Sequence, residues 1–228
     1  MIPRPDQFVN LHAHRLALHE KEWVLTSVFA QDYPPENMDR GVFSTGLHPW
    51  HLGKTDQEIA LHKVRLATES FNVLAVGETG LDKAISYPLD QQLKIFTRQV
   101  EIAEYADLPV IVHNVRAHQE LITFMKVNRP VVPMIIHGFR GGAELAEDLL
   151  HAGFFLSFGV HFLNDAKTAE ALGTAPMERL FLETDEASDD IRILYRKAAE
   201  LKGISQDLLQ IQVQENARLV FGSPGRET

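Results

Sequence analysis

Eight short apolar segments, most of them continuous rather than alternating, constrain the fold of this chain more than any other feature. They occupy residues 8–11, 23–29, 41–46, 73–77, 109–112, 132–136, 154–158 and 179–183. Continuous rather than alternating apolar residues predict strands that are buried on both faces, as in a parallel sheet covered by helices. The covering helices are predicted from helical periodicity at 56–69, 90–106, 118–127, 142–152, 166–173, 189–202 and 205–220.

This alternation favours a (β/α)8 TIM-type barrel, with an open doubly wound sheet as the alternative. The first crossover, residues 15–22, leaves room only for a short helix or none. Ser205 is the predicted N-cap of the last helix. We expect one barrel domain over residues 1–221 and a C-terminal tail over 222–228, GSPGRET.

The composition of the chain excludes several classes of protein. The 228 residues carry a formal net charge of -9, so no general basic footprint for nucleic acid exists, although a local basic groove is compatible with this total. With no cysteine, a metal must be held by His, Asp or Glu. No apolar run approaches the roughly 20 residues of a membrane span, and no secretory signal is evident, so a cytoplasmic location is predicted.

Histidines and carboxylates follow most of the predicted strands. His12 and His14 end the first strand. Five further residues each follow a different predicted strand: His48, Glu78, His113, His137 and Asp185. In a barrel these ends open on one face, where active sites are built. We therefore expect these residues to form one pocket. His19, His62, His118 and His151 fall on predicted helices or turns and are expected at the surface, whereas His161 is a weaker candidate for a substrate contact.

Imidazole nitrogens and carboxylate oxygens suit divalent metal ions. Four histidines with Glu78 and Asp185 exceed the needs of one tetrahedral ion. They could hold two ions about 3.5–4 Å apart, with Glu78 as a bridge and a water of lowered pKa between the ions. Asp185 could bind a metal and also orient or deprotonate that water.

The ordered motifs NLHAHR, GLHPW, VGETGLD, VIVHNVR, IIHGFR and FLETD together resemble the TatD-like metal-dependent hydrolases of the amidohydrolase superfamily. The closing QENARLVFG is also similar to the final helix of that family. The resemblance extends from residue 8 to about residue 221. It implies a (β/α)8 barrel and a divalent-metal phosphodiesterase, usually described as a deoxyribonuclease, with DNA or a short oligonucleotide as substrate.

The resemblance also implies roles for individual residues. His12, His14, Glu78 and Asp185 would hold one divalent ion, and Glu78, His113 and His137 the second, with Mg, Mn or Zn as candidates. Asp185 and Glu78 would be catalytic. His48 and Arg116 would face the substrate phosphate, a role that suits the planar guanidinium fork of Arg116.

Four departures from the family pattern concern the rim of the site more than its ligands. Asn10 stands where an acid is more usual, Lys83 replaces an aromatic residue, and Glu186-Ala187 replaces a small residue and proline. The fourth is the shortened first crossover. Lys83, Arg116 and Arg140 could form a small basic rim, and Trp50, Phe139 and Phe162 lie near predicted loops where they could stack on bases.

Two other functions are compatible with these motifs. The same metal chemistry could hydrolyse a small phosphoester, an amide or a lactone, because a fold does not fix a function. A non-catalytic metal-binding scaffold is the third reading, and it is disfavoured because a scaffold has no physical need to gather six ligands.

Overall fold

A computed structural model describes residues 2–222 of the chain. Eight strands form one sheet in chain order, β1 to β8. Their bounds are β1 Phe8–Ala13, β2 Glu22–Phe29, β3 Val42–Gly46, β4 Val73–Asp82, β5 Val110–Val115, β6 Met134–Ile136, β7 Phe155–Phe158 and β8 Leu180–Leu182. The pairs β3–β4, β4–β5 and β7–β8 are parallel. Directly after β8, Asp185 forms a parallel bridge to Ala13 at the end of β1.

Seven α-helices lie between the strands from β3 to β8 or after β8 in the described part of the chain. They are α1 Gln57–Ala67, α2 Leu89–Tyr105, α3 His118–Asn128, α4 Ala143–His151, α5 Ala166–Thr174, α6 Ile191–Lys202 and α7 Gln206–Phe221. Parallel strands in sequential order, separated by helices, are the (β/α)8 TIM-type barrel that the apolar segments predict. Among the helices of residues 2–222, none is long and apolar enough to cross a lipid bilayer.

The predicted elements differ from the observed ones mainly at their ends. β4 continues to Asp82, five residues beyond its apolar run, so that Glu78 lies within the strand rather than after it. The first crossover has no helix, as predicted, and the second contains only 3-10 turns at Ala30–Asp32 and Met38–Arg40. Ser205 caps α7 by accepting a hydrogen bond from the Leu208 amide. Except for Gly222, the predicted tail lies outside the described residues.

The contacts within the chain divide it into two compact units. The central unit is Thr26–Ile135, and the terminal unit comprises the residues up to Leu25 and those from Ile136 onwards. This division does not test the prediction of a single domain, which stays a prediction. Each unit is described by itself below.

In the central unit, two buried glutamines of α2 hold the segments that follow β3 and the end of β4. Gln92 and Gln99 lie seven residues apart and therefore on one face of the helix. The Gln99 amide accepts from the Leu47 N–H at 2.7 Å and donates to the Leu47 carbonyl at 3.1 Å. Gln92 makes the same pair of bonds to the Asp82 backbone, at 2.7 and 2.9 Å. These bonds fix the residues that precede His48 and the end of β4.

In the terminal unit, α6 packs its buried face onto β1. The fully buried Tyr195 donates its hydroxyl to the Val9 carbonyl at 3.0 Å. Its ring meets Phe8 edge to face, with centroids 5.0 Å apart. Because the Tyr195 ring is buried and its hydroxyl is hydrogen-bonded, Tyr195 holds α6 against the strand that carries His12 and His14.

Candidate metal centres

The terminal unit brings His12, His14 and Asp185 together. In a strand, residues two apart point to the same side, and the two imidazoles lie 5.2 Å apart and perpendicular. The Nε2 atoms of both rings lie 3.6 Å from Asp185 Oδ1. One ligand atom from each of the three residues lies within 4.8 Å of the others. The structure thus places the side-by-side pair against a carboxylate, and the metal-binding role of the three residues stays a prediction.

The backbone of Asp185 explains why its carboxylate reaches both histidines. Its N–H donates to the His12 carbonyl at 2.9 Å, and its carbonyl accepts from the His14 N–H at 3.3 Å. Asp185 adopts a left-handed φ of 54°, which aspartate tolerates better than most residues. It does not cap the following helix, because Asp190 is the N-cap of α6.

His137 lies against His12 in the same unit, with ring centroids 4.3 Å apart. Its Nδ1 is 3.3 Å from Oε1 of Glu183, a buried carboxylate that also accepts the Gly138 N–H at 2.7 Å. An ionised carboxylate can only accept, so the proton of His137 sits on Nδ1 and the lone pair on Nε2. Sequence reasoning missed Glu183, although an acid that directly follows the apolar Leu180–Leu182 was a signal.

Asn10, one of the departures from the family pattern, joins β1 to the segment before Asp185. Its Nδ2 donates to Thr184 Oγ1 at 2.8 Å and to Glu22 Oε1 at 2.9 Å, while its Oδ1 accepts the Thr184 N–H at 3.0 Å. Arg15 pairs with both oxygens of Glu22, at 3.0 and 3.1 Å. An acid at position 10 would face the Glu22 carboxylate directly, so an amide suits this chain.

The central unit brings His48, Glu78 and His113 together. Glu78 Oε1 lies 3.0 Å from His48 Nε2 and 2.8 Å from His113 Nδ1. The two ring nitrogens are 3.2 Å apart. All three residues are buried. The predicted substrate contact His48 is 1% exposed and belongs to this cluster.

The hydrogen bonds around His48 and His113 assign their ring protons. The Trp50 N–H donates to His48 Nδ1 at 3.1 Å, so the neutral ring carries its proton on Nε2, toward Glu78. His113 Nε2 lies 3.3 Å from Asp82 Oδ2, which places a proton there and leaves the lone pair on Nδ1, toward Glu78. His113 is therefore disposed to bind a metal, and His48 to donate a hydrogen bond.

Asp82 is held as a carboxylate in this position. Its burial acts to raise its pKa, but hydrogen bonds from His113, the Trp50 indole and the Ala84 amide outweigh burial and lower the pKa to about 2. A carboxylate behind a metal-binding histidine fixes the ring and its tautomer. Asp82 was quoted only as part of the VGETGLD motif, so its orienting position was missed by sequence reasoning.

Both clusters fit a divalent ion. Two ligands at about 2.1 Å from one ion lie about 3.0–3.4 Å apart in octahedral or tetrahedral geometry. The 3.6 Å separations around Asp185 are near this range, and the 2.8 Å contact joins two atoms, His113 Nδ1 and Glu78 Oε1, that need a proton or a cation between them. The donor chemistry, imidazole with carboxylate, suits Mg, Mn or Zn.

Other predicted site residues fall outside these clusters. Arg116 is exposed and follows β5 with a left-handed φ of 56°. Lys83 pairs with Glu120 at 2.7 Å, which neutralises part of the expected basic rim. Phe139 and Phe162 are 3% and 2% exposed, so the prediction that they could stack on bases is wrong: both rings are packed in the core.

Comparison with known proteins agrees with the residue pattern. The family described as TatD related DNase matches residues 32–222, a range that begins after the strand of His12 and His14. The 3'-5' ssDNA/RNA exonuclease TatD of Erwinia amylovora is 32% identical over 78% of this chain and 77% of its own length. YabD of Bacillus subtilis, named as an uncharacterized metal-dependent hydrolase, is 31% identical over 75% of each chain.

A solved structure supports the fold. The crystal structure of YJJV, a TatD homolog from Escherichia coli, superposes with a TM-score of 0.84 at 23% identity, over 97% of this chain and 100% of that one. At this identity the likeness bears on the architecture alone. The family match and the two relatives that are more than 30% identical show that the chain belongs to the TatD related DNase family of metal-dependent hydrolases.

Proposed function

We propose that this protein hydrolyses phosphodiester bonds at the end of a single-stranded nucleic acid, with divalent metal ions as cofactors. The observation that carries the proposal is the carboxylate behind two of the candidate metal-binding histidines, His113 and His137, which fixes the position of the ring proton. Asp82 and Glu183 direct the lone pairs of His113 Nδ1 and His137 Nε2. The relative from Erwinia amylovora is named a 3'-5' ssDNA/RNA exonuclease, which supports the substrate class.

In this proposal His12, His14 and Asp185 would hold one ion, and Glu78 and His113 would hold a second. The further predicted assignments, Glu78 to the first ion and His137 to the second, stay predictions from the family resemblance. Such ions would supply Lewis-acid chemistry, lowering the pKa of water and stabilising charge on the phosphoryl oxygens. Mg, Mn and Zn are the candidates for their identity.

The remaining steps fall to residues of the chain. The side chain of Asp185 is 39% exposed, so solvent water can reach it, and its carboxylate accepts the proton of the attacking water. Attack of the water oxygen on phosphorus breaks the bond to the leaving sugar oxygen, which takes a proton from solvent and departs as a hydroxyl. His48 Nε2–H holds the Glu78 carboxylate, and Arg116 binds the substrate phosphate through its guanidinium fork. The phosphate roles of His48 and Arg116 stay predictions.

Charge favours a strand end over a long duplex. The net charge of -9 opposes a long polyanion, and the pairing of Lys83 with Glu120 removes one cation from the expected rim. A short single-stranded end presents few phosphates and needs few cations. The cytoplasmic location predicted from the sequence is retained as part of the proposal.

A substrate panel tests the proposal. Purified protein with added Mg, Mn or Zn is given a labelled single-stranded oligonucleotide, a duplex of the same sequence, a small phosphomonoester, an amide and a lactone. We expect metal-dependent release of mononucleotides from the single strand and slower release from the duplex. Turnover of the amide or lactone with none of the oligonucleotide would overturn the proposal and leave the metal centres in place.

A further inference from the structure

Three aromatic residues were predicted near loops from the sequence, and of these Trp50 is the one that is exposed to solvent. It lies in the 3-10 turn Pro49–His51 and is 48% exposed, whereas Phe139 and Phe162 are buried. An exposed indole two residues after a buried cluster residue, His48, is not explained by core packing. It presents an aromatic surface to solvent beside the central cluster.

The indole is held in place by its polar edge. Its Nε1 donates to Asp82 Oδ2 at 2.9 Å, and its backbone N–H donates to His48 Nδ1 at 3.1 Å. Because the only polar atom of the ring is already bonded, the exposed part of the indole offers carbon and a π-face. A side chain that is already fixed loses little conformational entropy when a ligand packs on it.

The position of the ring relates it to the proposed chemistry. The Trp50 centroid lies 4.7 Å from that of His48 and 6.0 Å from that of His113, with interplanar angles of 73° and 74°. A planar group resting on the exposed indole would therefore lie beside the cluster that contains His48 and His113. In a nucleic acid, the planar group next to a phosphodiester is the base.

We infer that Trp50 is a stacking platform for the unpaired nucleobase beside the scissile phosphodiester. This inference rests on the proposed function and names the feature of the substrate that the site reads. A paired and stacked base has no free face, so the platform selects single-stranded ends. Every base has a π-face, so the selection tolerates any sequence.

Kinetics with two Trp50 variants separate stacking from the hydrogen bond to Asp82. Trp50→Leu removes the aromatic face, and Trp50→Phe keeps a face but removes the N–H. Each is given an oligonucleotide with a terminal base and one whose terminal nucleotide is abasic. We expect Trp50→Leu to raise KM for the base-bearing strand about 5- to 150-fold more than KM for the abasic strand. Trp50→Phe should keep the preference for a base.

A second readout does not depend on turnover. The chain has two tryptophans, and Trp23 is buried in β2, so accessible indole fluorescence comes from Trp50. In chelated protein, a base-bearing oligonucleotide should quench this fluorescence and the abasic one should not. In Trp50→Phe the quenching should be absent. Phe71→Leu, which removes an exposed aromatic residue in the turn before β4, is the matched control and should behave like the wild type.

Two results would overturn the inference while leaving the proposed function standing: equal loss of both substrates in Trp50→Leu, or unchanged KM for the base-bearing strand. Either would show that Trp50 acts on Asp82 alone or not at all. If the wild type cleaves no phosphodiester, the proposed function fails, and quenching by the base-bearing strand still decides whether Trp50 binds a base.

Discussion

At the residue scale, the position of each ring proton decides which histidines can hold a metal. His48 accepts a backbone N–H on Nδ1 and so presents a protonated Nε2 to Glu78. His113 donates a hydrogen bond from Nε2–H to Asp82, and its Nδ1 presents a lone pair to the Glu78 oxygen that His48 also faces. Two histidines of one cluster, 3.2 Å apart, are thereby assigned different chemistry.

Replacing each of these histidines separates the two roles. We expect His113→Gln to lose metal and activity together, because it removes a ligand. His48→Gln should keep the metal content of the wild type while turnover falls by roughly 10²–10³-fold, as for loss of one preorganised donor. Metal content by mass spectrometry and turnover on the same samples provide the check. Equal loss of metal in both variants would contradict the assignment of ring protons.

Asp82→Asn tests the residue behind His113. An amide can offer its N–H₂ as well as its oxygen to His113 Nε2 and so no longer fixes the tautomer. Loss of such a partner typically lowers metal affinity 10- to 100-fold, and we expect that range here. Asp90→Asn, an exposed aspartate at the start of α2, is the control and should leave the affinity unchanged. Competition with a metal-binding dye measures both, and equal affinities for wild type and Asp82→Asn would rule out the orienting role.

At the element scale, the terminal unit depends on a buried polar network between β1 and the segment after β8. Asn10 forms hydrogen bonds with both the side chain and the backbone of Thr184. The Glu22 carboxylate accepts hydrogen bonds from the Asn10 side chain, the Arg15 guanidinium and the Leu18 N–H. Asp185 follows Thr184 directly. The network therefore stabilises the unit and holds the strand ends that carry the terminal cluster.

This network should make stability depend on pH. Burial acts to raise the pKa of Glu22, but hydrogen bonds from Arg15, Leu18 and Asn10 outweigh burial and hold it below its ordinary value of 4.5. A lowered folded-state pKa contributes stability above the unfolded-state value, and this stability is lost as pH falls through the folded-state value. The melting temperatures of wild type and Glu22→Gln should thus differ most near neutral pH and converge in acid.

Thermal unfolding between about pH 3 and pH 7 measures this difference. Glu20→Gln, an exposed neighbour on the same crossover, is the control and should follow the wild type at every pH. A constant gap between wild type and Glu22→Gln across this range would show that Glu22 contributes through packing and not through its charge.

The elements themselves were largely predictable because burial on both faces leaves continuous apolar runs. All eight strands and seven helices lie where the pattern of the sequence predicts them, within a few residues at most ends. The extension of β4 to Asp82 was not predictable, since Glu78, Thr79 and Asp82 are polar. They are buried because Gln92 and Gln99 of α2 and His113 of β5 form hydrogen bonds with them, and such tertiary partners leave no local signal.

At the scale of the whole molecule, the sequential order of strands explains why the candidate metal ligands could be predicted from the sequence, whereas the residues that orient them could not. A barrel places residues that follow its strands at one end, so the order of motifs along the chain predicted the candidate ligands. Asp82, Glu183 and Glu22 act by orienting other residues, and their identity depends on side-chain geometry. The family resemblance singled out Asn10 as a departure, and the contact with Glu22 explains it.

The most direct test of the whole account is nucleotide release from a short single-stranded DNA. The assay compares chelated protein, chelated protein resupplied with Mg, Mn or Zn, and resupplied Asp185→Asn. We predict no release without metal, full release with metal, and a loss of roughly 10²–10⁴-fold in the variant, since Asp185 takes the proton of the attacking water. Undiminished release by chelated protein, or by Asp185→Asn, would contradict the account.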